Sequence, residues 1–318
     1  MKSAGSSRWS IDLSFIRKGS ARIRSPLTGG AEDLRWSIFT VPSKLLPISI
    51  VGCRLTGMGR EAEGIGDSLM YTDSLTQAFA EAWERLWLDL LRDRPIGSTG
   101  LPRSSNGFAC GATPGEAEAS ARAELIERAV YLTAWNSRKG WEKVPTAGLL
   151  NRAHLASLEY LGWGIDLFRL SEVRLGDVIC GLGRGAADGV LFDCCYQRPG
   201  VPLKDVQSKV LRSLLRSAVV RDGKPSSYAP LPASGGPESH RSFYMNPENR
   251  AAFKFLESRH GTAEPIEVGG YDDVETSVLV DIEGFPCVAA ATNPHWPRLS
   301  WGSESLQEGG NPWPHPLV

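Results

Sequence analysis

Two similar charged segments are the feature of this sequence that could do chemistry. Residues 80–86 read A-E-A-W-E-R-L, and residues 123–129 read A-E-L-I-E-R-A. Each segment places two glutamates and an arginine at positions i, i+3 and i+4, which share one face of an α-helix. The six side chains are Glu81, Glu84, Arg85, Glu124, Glu127 and Arg128.

Two such faces, brought together, would gather several carboxylates around one point. Carboxylate oxygens are ligands that Mg²⁺ prefers, and Mg²⁺ usually reaches proteins together with phosphates. The alternative is that each helix is solvated and carries only ordinary ion pairs along its surface. That alternative suffices for either segment alone, whereas the repetition favours a shared metal and phosphate site.

Composition and charge exclude several classes of protein. The chain has 318 residues with 42% hydrophobic residues, which suits one large domain or two ordinary ones. A formal net charge of −1 gives no electrostatic footprint for nucleic acid. No apolar run approaches the ~20 residues of a membrane helix, and the N-terminus lacks a signal peptide. We therefore expect a cytoplasmic protein that binds neither nucleic acid nor membranes.

The cysteines and histidines carry no recognisable signature. None of the six cysteines forms a C-x-x-C pair, so a structural zinc site is not predicted. We expect the cysteines to be buried free thiols. Cys194 and Cys195 are adjacent in an apolar run and would face opposite sides of a strand. A catalytic cysteine paired with a histidine stays open. His154 is expected to be a surface or half-buried helix residue.

Hydrophobic periodicity predicts helices and strands in an irregular order. Because the order is irregular, we expect an α+β fold with a mixed or antiparallel sheet and flanking helices, rather than a doubly wound fold. Glycine-rich turns are expected at residues 57–66 and 181–189. Helices are expected over residues 73–91, 113–135, 149–160, 203–221 and 247–257, and strands over 36–56, 106–111, 164–196, 277–282 and 286–291.

The clearest local signal is the start of the second charged helix. Thr113, Pro114 and Glu116 occupy the N-cap, N1 and N3 positions of a capping box with the favoured first-turn proline. Asp73 is the expected N-cap of the helix before it. On the second helix one polar stripe is expected, formed by Glu116, Ser120, Glu124, Glu127, Arg128 and Tyr131.

Taken in order, these motifs resemble the YcaO-domain family. The order is a glycine turn, A-x-x-E-x-x-E-R, S-N-G-x-A-x-G-x-T-x-x-E-A, E-L-I-E-R and a terminal P-x-P-x-P. The resemblance is dense over residues 64–130 and recognisable over 203–221 and 285–318. It implies an enzyme that uses ATP and Mg²⁺ to activate backbone amides of peptides, and a single domain over residues 1–318. Within that domain we expect an N-terminal extension (1–35), a mobile loop rich in Gly, Ser and Pro (222–242) and a proline-rich tail (303–318).

The resemblance assigns site residues position by position. Glu81, Glu124 and Glu127 would hold the metal and, with Arg128 and the tail residue Pro316, take part in catalysis. A stiff polyproline tail can reach into a pocket and present one defined group there. The ATP-binding residues implied are Glu81, Glu84, Arg85, Glu116, Glu124, Glu127, Arg128 and Arg212.

The sequence departs from the family pattern at several of these motifs. The lysine of the glycine turn is Ile65, and the glutamate four residues after Arg212 is Arg216. The serine before the first glutamate is Gln77, the asparagine after G-x-A-x-G is Ala112, the aspartate after E-R is Ala129, and the last proline of P-H-P-x-P is Val318.

The resemblance implies a subunit of a complex that modifies a ribosomal precursor peptide at Cys, Ser or Thr by cyclodehydration. Its implied partners are the precursor, a flavin-dependent dehydrogenase that carries FMN, and further subunits of a homo- or hetero-oligomer. A trifolitoxin-like toxin cluster is one possible setting. Two alternatives stay open: a non-catalytic scaffold that positions the precursor for the dehydrogenase, and an enzyme that forms thioamides or amidines.

Overall fold

The computed structural model describes most of the chain. The described residues are 18–41, 46–92, 105–185, 189–221, 240, 243–244, 246–257, 264–297, 299, 313 and 315–317. The predicted loop at 222–242, apart from residue 240, and most of the predicted tail at 303–318 lie outside them. Within the described residues, no helix is long and apolar enough to cross a membrane.

The described elements are strands and helices in mixed order, as the irregular pattern predicts. Short 3₁₀ helices occupy Pro247–Leu256 and Tyr271–Asp273. The longer elements are β1 (Lys18–Arg24), β2 (Ala31–Val41), β3 (Ser49–Gly57), β4 (Arg60–Ser68), α1 (Tyr71–Arg92), β5 (Phe108–Gly111), α2 (Pro114–Ser137), β6 (Trp141–Val144), α3 (Leu149–Tyr160), β7 (Trp163–Glu172), β8 (Gly176–Gly185), β9 (Val190–Tyr196), α4 (Leu203–Arg221), β10 (Glu275–Val280) and β11 (Cys287–Thr292).

These elements fall into two compact units. The first unit comprises residues 1–125 and 272–294, and the second comprises residues 126–271 and 295–318. Helix α2 supplies its N-terminal half to the first unit and its C-terminal half to the second. The single domain over residues 1–318 stays a prediction, and the expected N-terminal extension includes all of β1 and the start of β2.

The first unit is built on an antiparallel sheet in the order β1-β2-β3-β4, against which α1 packs through β3 and β4. A second antiparallel sheet has the order β10-β11-β5. Aromatic rings fill the space around α1: Trp83 stacks on Phe285 with ring centroids 4.9 Å apart, and its Nε1 donates to the Pro286 carbonyl oxygen at 2.9 Å. This core fixes the face that α1 buries and leaves Arg85 exposed.

Glycines of β4 permit its close contact with α1. The predicted turn at 57–66 is wrong, because the chain turns at Met58–Gly59 and then continues as β4 along its whole pairing with β3. A Cβ atom at Gly64 would clash with the backbone of Ala78, and one at Gly66 would clash with the backbone of Ser74. These glycines serve close helix–strand contact, a role that sequence alone does not distinguish from a turn.

The second unit is built on an antiparallel sheet in the order β6-β7-β8-β9. Helix α3 packs on β7 and on α4, and α4 packs on β8 and β9. The predicted glycine turn at 181–189 is wrong over its first half, since β8 continues to Gly185. Gly181 faces α4, where a Cβ atom would meet the side chains of Val210 and Leu214. Residues 186–188 lie outside the described residues.

Other predicted boundaries agree closely with the structure. The helices at 149–160 and 203–221 are confirmed. The strands expected at 277–282 and 286–291 correspond to β10 and β11, which pair antiparallel. Asp73 is not an N-cap, because α1 already begins at Tyr71 and places Asp73 in its first turn. The α+β fold with antiparallel sheets and flanking helices is confirmed.

We expect Gly66→Ala to lower the free energy of unfolding by about 2–3 kcal/mol, because the added methyl group must push a strand away from a helix backbone. Urea denaturation followed by circular dichroism measures this change. Gly115→Ala is the matched control, since a Cβ atom added there would meet nothing within 4 Å and alanine is the better helix former. Equal losses in the two variants would contradict the close-contact argument.

Candidate functional site

The first charged segment is tied to the neighbouring strand through Glu81. Glu81 Oε2 accepts a hydrogen bond from the Ile65 backbone N–H at 2.7 Å, and its Oε1 accepts one from Arg85 Nη2 at 2.6 Å. Arg85 Nη1 also donates to the Glu63 carbonyl oxygen at 2.8 Å. Both carboxylate oxygens of Glu81 therefore accept hydrogen bonds. The contact with Arg85 is an ordinary ion pair within one helix, as expected if the segment were only a solvated helix surface.

Glu84 lies next to the other carboxylates of the first unit. Burial raises the pKa of Glu84 well above its usual range, and the negative charges of Glu124 and Glu81 raise it further. The Cys110 backbone N–H donates to the Glu84 carboxyl group and partly offsets this rise. The structure therefore brings Glu81, Glu84 and Glu124 within electrostatic reach of one another.

The start of α2 has the predicted capping interactions, with one shift. Thr113 Oγ1 accepts a hydrogen bond from the Glu116 backbone N–H at 3.2 Å, as in the predicted capping box. Glu116 Oε2 reaches back to the backbone N–H of Ala112 at 3.1 Å, one residue before the N-cap. Glu116 is exposed, and its observed contact serves the helix start.

The second charged segment continues into the second unit, where Glu127 is buried. Glu127 Oε2 accepts a hydrogen bond from the Tyr196 backbone N–H at 2.8 Å, and its Oε1 lies 3.3 Å from Arg128 Nη1. Arg128 Nη1 lies 3.9 Å from the Cys194 sulfur. The expected polar stripe is wrong at Tyr131, which is fully buried among aromatic rings.

Helix α4 presents the third-motif arginine beside a buried histidine. Arg212 Nη1 donates to Ser208 Oγ at 3.1 Å, and Arg216 Nη2 donates to Ser213 Oγ at 3.1 Å. His154 of α3 is completely buried, so its prediction as a surface or half-buried residue is wrong. Neither ring nitrogen of His154 has a hydrogen-bond partner among the described residues. Burial, assisted by the charge of Arg212, lowers its pKa to about 4.

The C-terminal tail is held inside the second unit. His240 Nδ1 donates to the His315 carbonyl oxygen at 2.7 Å, and Trp135 Nε1 donates to the Trp313 carbonyl oxygen at 3.3 Å. Pro316 and Leu317 are buried. The expectation that a stiff tail enters the protein agrees with this placement, and a catalytic role for Pro316 stays a prediction.

The cysteines are free thiols, as predicted, and Cys110 is the one that is half-buried rather than buried. Cys194 lies directly opposite Cys180 in the β8–β9 register, and the two thiols hydrogen-bond each other. Cys195 instead hydrogen-bonds the ammonium group of Lys209 on α4. Sequence reasoning missed Lys209, although its spacing of three residues before Arg212 is a signal that it could have used.

The carboxylates fit a magnesium nucleotide in their chemistry. Carboxylates are hard oxygen donors, and a divalent cation bound between them would relieve their mutual electrostatic repulsion. Mg²⁺ commonly binds through one or two carboxylates plus phosphate oxygens. Among the described residues, no group of three or more His, Cys, Asp or Glu side chains is arranged to hold a metal by itself. The negative charge of Glu124 acts on Glu84 more strongly than that of Glu81 does, so Glu84 and Glu124 are the most strongly coupled pair of carboxyl groups here.

The fold is identified by comparison with solved structures, and a family model matches part of the chain. The sequence model of the family described as "YcaO cyclodehydratase, ATP- and Mg²⁺-binding" matches residues 87–183. The predicted resemblance to the YcaO-domain family is thereby confirmed. No curated protein sequence matches the chain significantly.

Solved structures of similar fold include YcaO from Methanopyrus kandleri bound with AMPPCP and Mg²⁺. It is 15% identical, with a TM-score of 0.55, over 80% of this chain and 84% of that chain. The E. coli microcin synthetase McbBCD complex with pro-MccB17 bound is 10% identical, with a TM-score of 0.57, over 82% and 88%. A heterocyclase in complex with substrate and cofactor is 10% identical, with a TM-score of 0.58, over 89% of this chain but 54% of its own. At these identities the comparison confirms the fold.

We expect Glu84→Gln to be more stable than the unsubstituted protein at pH 8. A carboxyl group whose pKa is raised in the folded state contributes stability while protonated and loses it as the pH rises through that pKa. Glutamine stays neutral and can still accept the Cys110 hydrogen bond. The gain in the midpoint of thermal unfolding should shrink toward pH 4.5. Glu118→Gln on α2 is the control, and a gain of equal size at both pH values would contradict the assignment.

Acidification should destabilise the second unit through His154. Its folded pKa of about 4 lies below the usual 6.5, so the unfolded chain binds the proton first and stability falls as the pH drops from 6.5 toward 4. Between pH 6.5 and 5 we expect a loss of up to about 2 kcal/mol, measured by urea denaturation. His154→Gln should remove this component, whereas the exposed His295→Gln should retain it. A loss of the same size in His154→Gln would show that other groups cause it.

Proposed function

We propose that this chain is the YcaO-type subunit of a complex that modifies a ribosomal precursor peptide by ATP-dependent cyclodehydration at Cys, Ser or Thr. The observation that carries the proposal is the carboxylate group of Glu84, Glu124 and Glu81, whose mutual repulsion a magnesium nucleotide would relieve. The match to the YcaO family supports it, as do the nucleotide bound in one similar structure and the pro-MccB17 bound in another.

In the proposed reaction the side chain of the modified residue attacks the preceding backbone carbonyl carbon, and the carbonyl oxygen leaves as phosphate. ATP supplies the phosphoryl group that makes this oxygen a leaving group, so the peptide loses the elements of one water molecule for each ring formed. Glu84 and Glu124 would hold Mg²⁺. Glu81, fixed by the Ile65 backbone N–H, would orient Arg85 toward phosphate oxygens.

The buried tail would contribute to the same reaction. Pro316 follows His315, whose carbonyl oxygen is fixed by His240, so the backbone next to the proline has a defined position. A group held in place before the substrate arrives loses little conformational entropy when it acts. We propose that the tail orients a reacting group of the precursor peptide. The partner that we propose is a flavin-dependent dehydrogenase carrying FMN, which would oxidise the azoline.

A scaffold function is the second candidate, and specific contacts favour it. Glu81, Glu116 and Glu127 each accept a hydrogen bond from a backbone N–H, which is a structural role. Gln77, at the position of a family serine, accepts one from the Asp67 N–H at 3.1 Å. A chain with these roles could bind the precursor and position it for the dehydrogenase without using ATP.

Two glutamates of α2 provide the test. The purified chain is incubated with the proposed precursor and the proposed dehydrogenase, with and without ATP and Mg²⁺, and the peptide is analysed by mass spectrometry for loss of water. We expect Glu124→Gln and Glu127→Gln each to lower product formation by about 10²-fold or more, because each removes a carboxylate that the family resemblance assigns to ATP and Mg²⁺. Glu118→Gln, on the same helix, should retain activity. ADP release is measured in parallel.

The outcomes separate the candidates. Water loss that continues at full rate without nucleotide would overturn the ATP-dependent version. Unchanged water loss in both glutamine variants would favour the scaffold, provided that the thermal midpoints show folded proteins. Peptide binding without water loss or ADP release by the complete unsubstituted complex would also favour the scaffold.

A further inference from the structure

Helix α3 exposes apolar side chains and buries polar ones. Its buried residues are Asn151, His154 and Leu158, of which the first two are polar. At the two ends of the helix, by contrast, Leu149 is 86% exposed and Tyr160 is 78% exposed. A surface helix normally has the opposite arrangement, with its apolar stripe on the core. Exposed apolar surface of this kind marks a site where another molecule binds.

The exposed apolar residues of α3 form one narrow stripe. They are spaced at i, i+4, i+7 and i+11, and they are Leu149, Ala153, Ala156 and Tyr160. At about 3.6 residues per turn, these positions lie within a sector of about 60° of the helix surface. We call these four residues the α3 apolar stripe. Its large side chains lie at the two ends and its two alanines lie in the middle.

Hydrogen bonds on the opposite side of α3 keep this stripe turned outward. Asn151 Nδ2 donates to the Ala147 carbonyl oxygen at 2.6 Å and to the Lys204 carbonyl oxygen of α4 at 2.8 Å. Rotating α3 to bury the stripe would break the bond to α4 and expose the packing of α3 on β7. The α3 apolar stripe is therefore held in a position where a partner can reach it.

Two opposite charges lie along one flank of the stripe. Arg152 and Glu159 are both exposed. They are seven residues apart, which places them on the same side of α3 and about 10 Å apart along its axis. The other flank of the stripe carries the uncharged residues Leu150 and Ser157. A partner that complements the charged flank must therefore present the same two charges in reverse order.

A second copy of α3, packed antiparallel, meets this requirement. With a two-fold axis at the middle of the stripe, Leu149 of each copy lies opposite Tyr160 of the other. The small alanines at the axis allow the two helices to approach to about 8 Å. The charged flanks then face each other, and Arg152 of one copy lies within about 3 Å, along the axis, of Glu159 of the other.

We propose that the α3 apolar stripe is a self-association surface, on which α3 of a second copy of this chain packs antiparallel around a two-fold axis. A parallel pair would place the charged flank of one copy against the uncharged flank of the other. A lipid surface would suit a helix with an excess of basic residues, whereas the charges of Arg152 and Glu159 cancel. The inference does not depend on the proposed reaction.

Sedimentation equilibrium of the full chain tests the inference. A pair of twelve-residue helices is a small interface, so we expect a reversible dimer with a Kd of about 10 μM. Ala156→Glu should weaken it by about 10-fold or more, because the carboxylates of the two copies would meet at the axis. Ala119→Glu, at an exposed alanine of α2, should change the Kd by less than about 2-fold. Thermal midpoints confirm that each variant is folded.

Charge reversal tests the antiparallel arrangement. Arg152→Glu alone and Glu159→Arg alone should each weaken the dimer by about 3-fold or more, because like charges then face each other in both symmetric pairs. An equimolar mixture of the two variants should associate as tightly as the unsubstituted protein, since each copy then carries the charges that complement the other.

Several results would overturn the inference. They are a protein that stays monomeric well above the expected Kd, a dimer that tolerates Ala156→Glu, and a mixture of the two charge variants that associates no better than either variant alone. Binding of a monomeric protein to phosphatidylserine vesicles, lost in Ala156→Glu, would replace the second copy by a lipid surface.

Discussion

The charged motifs of this protein depend on one interaction: a glutamate on a helix accepts a hydrogen bond from a backbone N–H of a strand. Glu81 binds the N–H of Ile65 in β4, and Glu127 binds the N–H of Tyr196 in β9. A charged acceptor makes such a bond stronger than a neutral one. Each bond fixes the rotation of its helix against its strand, and the neighbouring arginine is fixed with it.

The same bonds explain how one motif can be structural and functional at once. A carboxylate has more lone pairs than a single N–H can use, so anchoring does not exhaust its capacity as a ligand. Glu84 differs from its neighbours, since burial and two nearby carboxylates work against its charge. Stability and site chemistry therefore oppose each other at Glu84 and support each other at Glu81 and Glu127.

Local patterns predicted the helices well and the glycines poorly. The capping box at Thr113 and the apolar periodicity of α3 and α4 are local signals, and the structure confirms them. Gly64, Gly66 and Gly181 resemble turn residues in sequence, yet they lie in strands because helices pack against them. The burial of His154 and the contact of Lys209 with Cys195 join residues far apart in the chain, which periodicity does not report.

The glycines also determine how this sequence can drift during evolution. Gly66 faces helix backbone, so no second substitution in α1 can make room for a side chain there. Gly52, by contrast, faces the ring of Phe39, its partner across the β2–β3 register. A smaller residue at position 39 would make room for a side chain at position 52. In homologous sequences Gly66 should therefore be invariant whatever the other residues are, whereas positions 39 and 52 should change together.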